Sequence, residues 1–232
     1  MQDVLLGMGN NDGVLVTASS ATSDGSETTT LGQEGFLPNL NAASRFLSQA
    51  TLGYAIEDIE YVAEIGIEDW ITEELQKVPA FSLLDKVEEY HDFRKDNLND
   101  PDANAGTIFW DYAWWQYHMT SDDKLRQRVA FALSEFLVIS RLSVLNGRPY
   151  AFGDYYDMLL EHSFGNYRDL LDDLTYHAGM GIYLTYLNNP KTDTIENTFP
   201  DENYARELMQ LFTIGLDPVS YTHLTLPTIY SV

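Results

Sequence analysis

From Asn41 onward, apolar residues recur three and four positions apart, the spacing of one face of an α-helix. Ala43, Phe46, Leu47 and Ala50 share a first stripe, opened by Asn41 and closed by Gly53. Ile56, Ile59, Val62 and Ala63 form a second, closed by Gly66; Ile67, Trp70, Ile71 and Leu75 form a third, closed by Pro79. These three short helices predict a small N-terminal layer. A longer, highly charged helix is predicted over 82–97, with Leu83, Leu84, Val87, Tyr90 and Phe93 as its buried side. The stretch 108–119 carries Phe109, Trp110, Tyr112, Trp114, Trp115 and Tyr117 all round. Rings on every side predict a helix buried over most of its surface. An aromatic sugar platform is the weaker alternative, because such platforms are sparse and exposed.

Ser121, Asp122 and Asp123 place acceptors and negative charge before a helix predicted over 124–140. Its core face is Leu125, Val129, Ala132, Leu133, Phe136 and Leu137, flanked by Arg126 and Arg128. Further helices are expected over 150–162, over 167–176 with Asn166 as its cap, and over 178–187, loosened by Gly179 and Gly181. The fold class is therefore all-α: an irregular multi-helix array with any strand minor.

The last helix has the clearest punctuation. Pro200 disfavours helix at Phe199, Asp201 is a good N-cap, and Gly215 is placed to end the helix in the left-handed conformation. Asn203, Arg206, Glu207 and Gln210 fall on one stripe; Tyr204, Ala205, Leu208, Met209, Leu211 and Phe212 cover the other side. Spacing alone favours a solvated polar face. The sharper reading is a polar constellation facing a cleft.

Composition narrows the functional classes. The 232 residues carry a formal net charge of −23, so a phosphate backbone or an anionic membrane surface is repelled. Neither nucleic acid nor membrane insertion is expected, since no apolar run reaches transmembrane length. Cysteine is absent, which excludes disulfides, thiolate catalysis and cysteine zinc sites. Residues 18–30 (ASSATSDGSETTT) contain no large apolar side chain, so 1–35 is expected to be a flexible tail or linker.

Six of the eight arginines lie between 126 and 206: Arg126, Arg128, Arg141, Arg148, Arg168 and Arg206. A guanidinium fork matches a carboxylate or phosphate. The arginines are therefore either an anion site or structural partners for Glu135, Asp157, Glu161, Asp169, Glu202 and Glu207. Binding candidates are Arg126, Arg128, Arg168, Glu202 and Gln210, with a protein or a small anion as partner. Catalytic candidates are Asn203, Arg206, Glu207, His162 and His177. Those histidines with Glu161, Glu202 and Glu207 could supply metal ligands, but no H-x-x-x-H pair occurs. No metal or cofactor is expected, and no nucleophile elbow, Walker loop or dinucleotide fingerprint is present.

Three blocks carry a resemblance. They are 200–215 (PDENYARELMQLFTIG), 125–135 (LRQRVAFALSE) and 155–171 (YYDMLLEHSFGNYRDLL), with 41–53 as weaker support. In this order they resemble the domain of unknown function 1800 family, a group of large bacterial proteins, over about 39–216 of this chain. The family's H-P-A-M-G run is His177-Ala178-Gly179-Met180-Gly181 here, a softer break.

The resemblance implies that 36–216 is part of a larger helical domain and that the protein is periplasmic or secreted, although this chain shows no signal peptide. Residues 217–232 match nothing in the pattern and read like translated adapter sequence, so they are expected to be non-native and the chain an N-terminal fragment. An exported scaffold or binding protein is the favoured function. A hydrolase using the Asn203/Arg206/Glu207 helix is the alternative. Either role for this stripe, a polar pin within the core or a cleft wall, predicts Arg206 and Glu207 withdrawn from solvent, with Arg206 paired to a carboxylate on another helix.

Overall fold

A computed structural model describes residues 40–142 and 144–215. The segments 1–35 and 217–232 lie outside them. Among the described residues there are ten α-helices, one 3-10 turn at His162–Phe164 and one isolated bridge between Asp193 and Thr198, with no strand. The all-α class holds. The described residues divide into two compact units: 40–81 with 114–131, and 82–113 with 132–215.

The first unit contains α1 (Leu40–Ala50), α2 (Ile56–Ile65), α3 (Ile67–Gln76), the second half of α5 (Ile108–Thr120) and the first half of α6 (Lys124–Phe136). Its core is Ala43, Leu47, Ala50, Val62 and Trp70, with Phe46 edge-on to Trp70 at 5.2 Å. The predicted stripes of α1 to α3 are thus the buried ones, with two exceptions. Ile56 and Leu75 are exposed, and Glu74 is buried instead at 2% exposure. Glu74 is drawn inward by unsatisfied donors at the start of α6. Its Oε2 accepts the Leu125 N–H at 2.9 Å, while Oε1 pairs with Lys77.

The same accounting turns α6. Its most buried residues in this unit are Arg126, Gln127 and Ala130, while Leu125 packs partly covered against the core and Val129 is also only partly covered. Arg126 Nη2 donates to the Lys77 carbonyl at 2.7 Å, and Gln127 Nε2 donates to Ser121 O and Asp123 Oδ1 at 3.1 Å each. Carbonyls left over at helix ends must find donors when buried, so the polar face goes inward. Further along, Ala132 and Phe136 are exposed, and the helix ends at Phe136, short of the predicted 140.

The second unit is built on α4 (Leu83–Leu98) and α7 (Pro149–Glu161), its most closely packed helix pair. Pro149 occupies the first turn of α7, where its missing N–H costs nothing. A Cβ added at Gly153 would stand 2.9 Å from the Leu84 backbone, so glycine permits this close approach. One turn later Asp157 caps α4 from outside, accepting from the Ser82 hydroxyl and the Leu83 N–H at 2.7 Å each and from the Leu84 N–H at 3.0 Å. Burial pushes the Asp157 carboxyl up, and these three hydrogen bonds oppose the shift.

The second unit continues with α8 (Tyr167–Tyr176), α9 (Ala178–Tyr183) and α10 (Asn203–Gln210). Asn166 caps α8 as expected, its Oδ1 accepting the Arg168 N–H at 2.8 Å. The α9 helix stops at Tyr183, four residues short of the predicted end, and Thr185 takes a left-handed φ of 63°.

Two burial expectations fail. Phe93 is 68% exposed and Tyr112 is 51% exposed, with Trp115 also open. Phe109, Ala113 and Tyr117, four residues apart, form the fully covered stripe of α5. Of the rings beside that stripe, Trp110 and Trp114 are largely covered, and Tyr112 and Trp115 are more than half exposed.

Candidate functional site

The α10 helix is docked by Tyr204 rather than by its charges. The Thr175 hydroxyl donates to Leu171 O at 2.6 Å and so accepts from the Tyr204 hydroxyl at 2.7 Å. The Tyr186 ring lies 4.3 Å from that of Tyr204, and its hydroxyl donates to Thr175 O at 2.7 Å. Tyr167 donates to Phe212 O at 2.6 Å. The helix start is fixed by a reciprocal pair: Asn189 Nδ2 donates to Asp201 O at 2.9 Å, and Asp201 N donates to Asn189 Oδ1 at 3.1 Å. Asp201 Oδ1 accepts the Asn203 N–H at 2.9 Å, and its Oδ2 accepts from the Thr185 hydroxyl, which holds the carboxyl below its usual range.

Arg206 is not buried. It pairs with Glu202 of its own first turn, at 49% and 79% exposure respectively. The expectation of a partner on another helix is thereby corrected. An eight-residue helix has one face to bury, and Tyr204 occupies it. Asn203, Glu207 and Gln210 sit half-buried beside it. Arg206→Ala is expected to change the unfolding free energy by less than about 0.5 kcal/mol, because exposed i,i+4 pairs contribute little. Urea unfolding checks this, and a loss of several times that figure would restore the pin.

The remaining candidates do not converge. In the first unit Arg126 serves Lys77 O, and Arg128 Nε donates to Gln49 O at 3.0 Å. In the second unit Arg141 pairs with Asp111, and Arg168 is exposed on α8. His162 Nε2 lies 2.6 Å from Asp173 Oδ2. His177 Nδ1 accepts the Gly179 N–H at 3.0 Å and caps α9, so the ring proton is on Nε2, 3.0 Å from Asp154 Oδ2. Glu88 and His91 make an E-x-x-H spacing on α4, but both His91 nitrogens are engaged: Nε2 with Ala103 O at 2.6 Å and Nδ1 with the Tyr150 hydroxyl. Among the described residues no three His, Asp or Glu side chains are grouped to hold a metal ion.

Burial lowers the pKa of His177, against the opposing pull of Asp154, and burial likewise lowers that of His118, which stacks on Trp114 at 3.9 Å. A folded pKa below the unfolded 6.5 means the unfolded chain takes up protons first. Stability supplied by the neutral rings is present above about pH 6.5 and is lost as the pH falls below it. Unfolding in urea is therefore expected to need less denaturant at about pH 5.5 than at about pH 7.5. His177→Asn keeps a capping oxygen and should shrink that difference; an unchanged difference would remove His177 as a contributor.

What the second unit does assemble is a cleft of about 820 Å³ between the C-terminal half of α4 and the start of α5. Tyr90, Phe93 and Leu98 form one side, and Ile108, Phe109 and Tyr112 the other. Tyr90 lies nearly parallel to Phe109 at 6.4 Å and edge-on to Tyr112 at 5.8 Å. Glu89, Arg94 and Asn97 supply the polar lining. The His91 bonds hold the 99–107 loop against α4, and a Cβ at Gly106 would come within 3.4 Å of Ile108 and 3.7 Å of Arg94 Nη1. Arg94 and Asn97 have no hydrogen bond or ion pair from their side chains among the described residues. Periodicity had assigned Tyr90 and Phe93 to one face. It could not show that the covering partner ends before Phe93.

Together these features define an all-helical protein with an open aromatic cleft, whose motif residues largely serve as joints between helices. The chain belongs to the family described as protein of unknown function (DUF1800), which matches residues 45–224. That span takes in the three motif blocks and ends inside the segment 217–232. No match was found among curated proteins or among solved structures.

Proposed function

We propose that this is a binding protein, of the exported kind implied by the family resemblance, whose ligand seats in the α4–α5 cleft. The observation that carries the reading is the coincidence, in one concave site, of exposed aromatic side chains with a guanidinium and a carboxamide that are not already engaged. Ligand sites are typically apolar clefts of about 300–1,000 Å³ with a few polar groups that fix orientation. The hydrolase alternative draws less support. Arg206 is held by Glu202 and His177 by its capping bond.

The test is ligand-observed magnetic resonance on the full chain with a library of small neutral ring compounds. Bound compounds should lose up to about ten-fold in affinity in Tyr112→Ala, the upper end of the ~0.5–1.5 kcal/mol of an aromatic contact. Equal binding to the variant would place the ligand elsewhere. Turnover of ester, phosphate or glycoside substrates that is abolished by Glu207→Gln would favour the hydrolase.

A further inference from the structure

We infer that the cleft takes a neutral saccharide, with a pyranose ring stacked on its aromatic wall and its hydroxyls bonded to Arg94, Asn97 and Glu89; this rests on the binding reading above. Tyr90, Phe93, Arg94 and Asn97 stand at i, i+3, i+4 and i+7, so one stripe of α4 presents rings and polar groups together. Phe93 and Tyr112 are more than half exposed, and Tyr112 is braced edge-on by Tyr90. A pyranose has a C–H face that needs such a surface and a rim of adjacent hydroxyls. The guanidinium fork offers parallel donors to neighbouring oxygens. The carboxamide of Asn97 both donates and accepts, and the Glu89 carboxylate, whose Oε2 is paired with Lys86 at 2.5 Å, accepts through Oε1.

Other ligand classes meet an objection on the same surface. A phosphate or carboxylate ligand approaches a chain of net charge −23, although Glu89 in the cleft is itself paired with Lys86. A cation meets Arg94, whose charge has no counter-ion among the described residues. A purely apolar tail would desolvate Arg94 and Asn97 without replacing their water hydrogen bonds. A neutral ring with one apolar face and a hydroxyl rim avoids all three penalties.

The experiment is calorimetric titration of the full chain with cello-, malto-, xylo- and chitohexaose, and with the anionic hexagalacturonate. At least one neutral hexamer should bind, and Tyr112→Ala and Arg94→Ala should each weaken it about ten-fold. Circular dichroism should show both variants folded, since both side chains are exposed. Binding untouched by either variant, or binding of hexagalacturonate alone, would overturn the inference. If all four neutral hexamers fail while ring fragments still bind in a Tyr112-dependent way, the saccharide falls and the binding reading stands. If fragments fail as well, both fall.

Discussion

Asp157→Ala is expected to lower the unfolding free energy by about 2–3 kcal/mol, one of the two largest losses among the substitutions considered. A single carboxylate on α7 satisfies the Ser82 hydroxyl and two backbone N–H groups that open α4. Loss of an N-cap alone costs about 0.5–2 kcal/mol. Part-buried donors left without an acceptor add to that, at about 1–3 kcal/mol for a fully buried one. The cost of burying the carboxylate is recovered on its removal, which keeps the net figure below the sum. Asp157→Asn retains one acceptor oxygen and should lose about half as much. Denaturant melts followed by circular dichroism measure both. An Asp157→Ala protein as stable as the parent would mean that the start of α4 does not depend on α7.

Glu74→Ala is expected to cost about 2 kcal/mol by the same mechanism in the first unit. Glu74 reaches from α3 to the Leu125 N–H at the start of α6, and it is almost wholly buried. Its ion pair with Lys77 adds little, because the Lys77 ammonium keeps solvent and the Asp122 carbonyl at 2.7 Å. Glu74→Gln keeps the capping oxygen and loses the charge, so it should restore most of the stability. If the Gln variant were as unstable as the Ala variant, the ion pair rather than the cap would carry the effect.

These two carboxylates also show where the sequence was informative. Helix existence follows from local spacing, and so do caps made within a helix's own neighbourhood. The stripes of α1 to α3 and Asn166 at the head of α8 are of this kind, whereas α10 ends at Gln210 with Leu211 as its C-cap, before the left-handed Gly215 (φ 92°) expected to close it. A cap supplied from another helix leaves no local trace. Glu74 resembles any surface glutamate and Leu75 any core leucine until the donors of α6 arrive. Arg126 and Gln127 look solvated for the same reason; their burial depends on carbonyls 49 and 6 residues away.

The candidate site was less legible than the fold. Periodicity put Tyr90 and Phe93 on one face, but exposure depends on how far the neighbouring helix extends. The dense motif around α10 drew attention to Arg206, although spacing alone had favoured a solvated face, and that is where Arg206 lies. The motif's anchoring residue is Tyr204, whose hydroxyl meets Thr175 on α8.

Cleft and α10 can be told apart by amide chemical-shift mapping of the ¹⁵N-labelled chain during titration with the tightest-binding hexasaccharide or ring fragment. Shifts concentrated on 89–98 and 106–112 are expected, with Asn203–Gln210 unmoved. Shifts concentrated on Asn203–Gln210, or none at either place, would contradict a ligand site between α4 and α5.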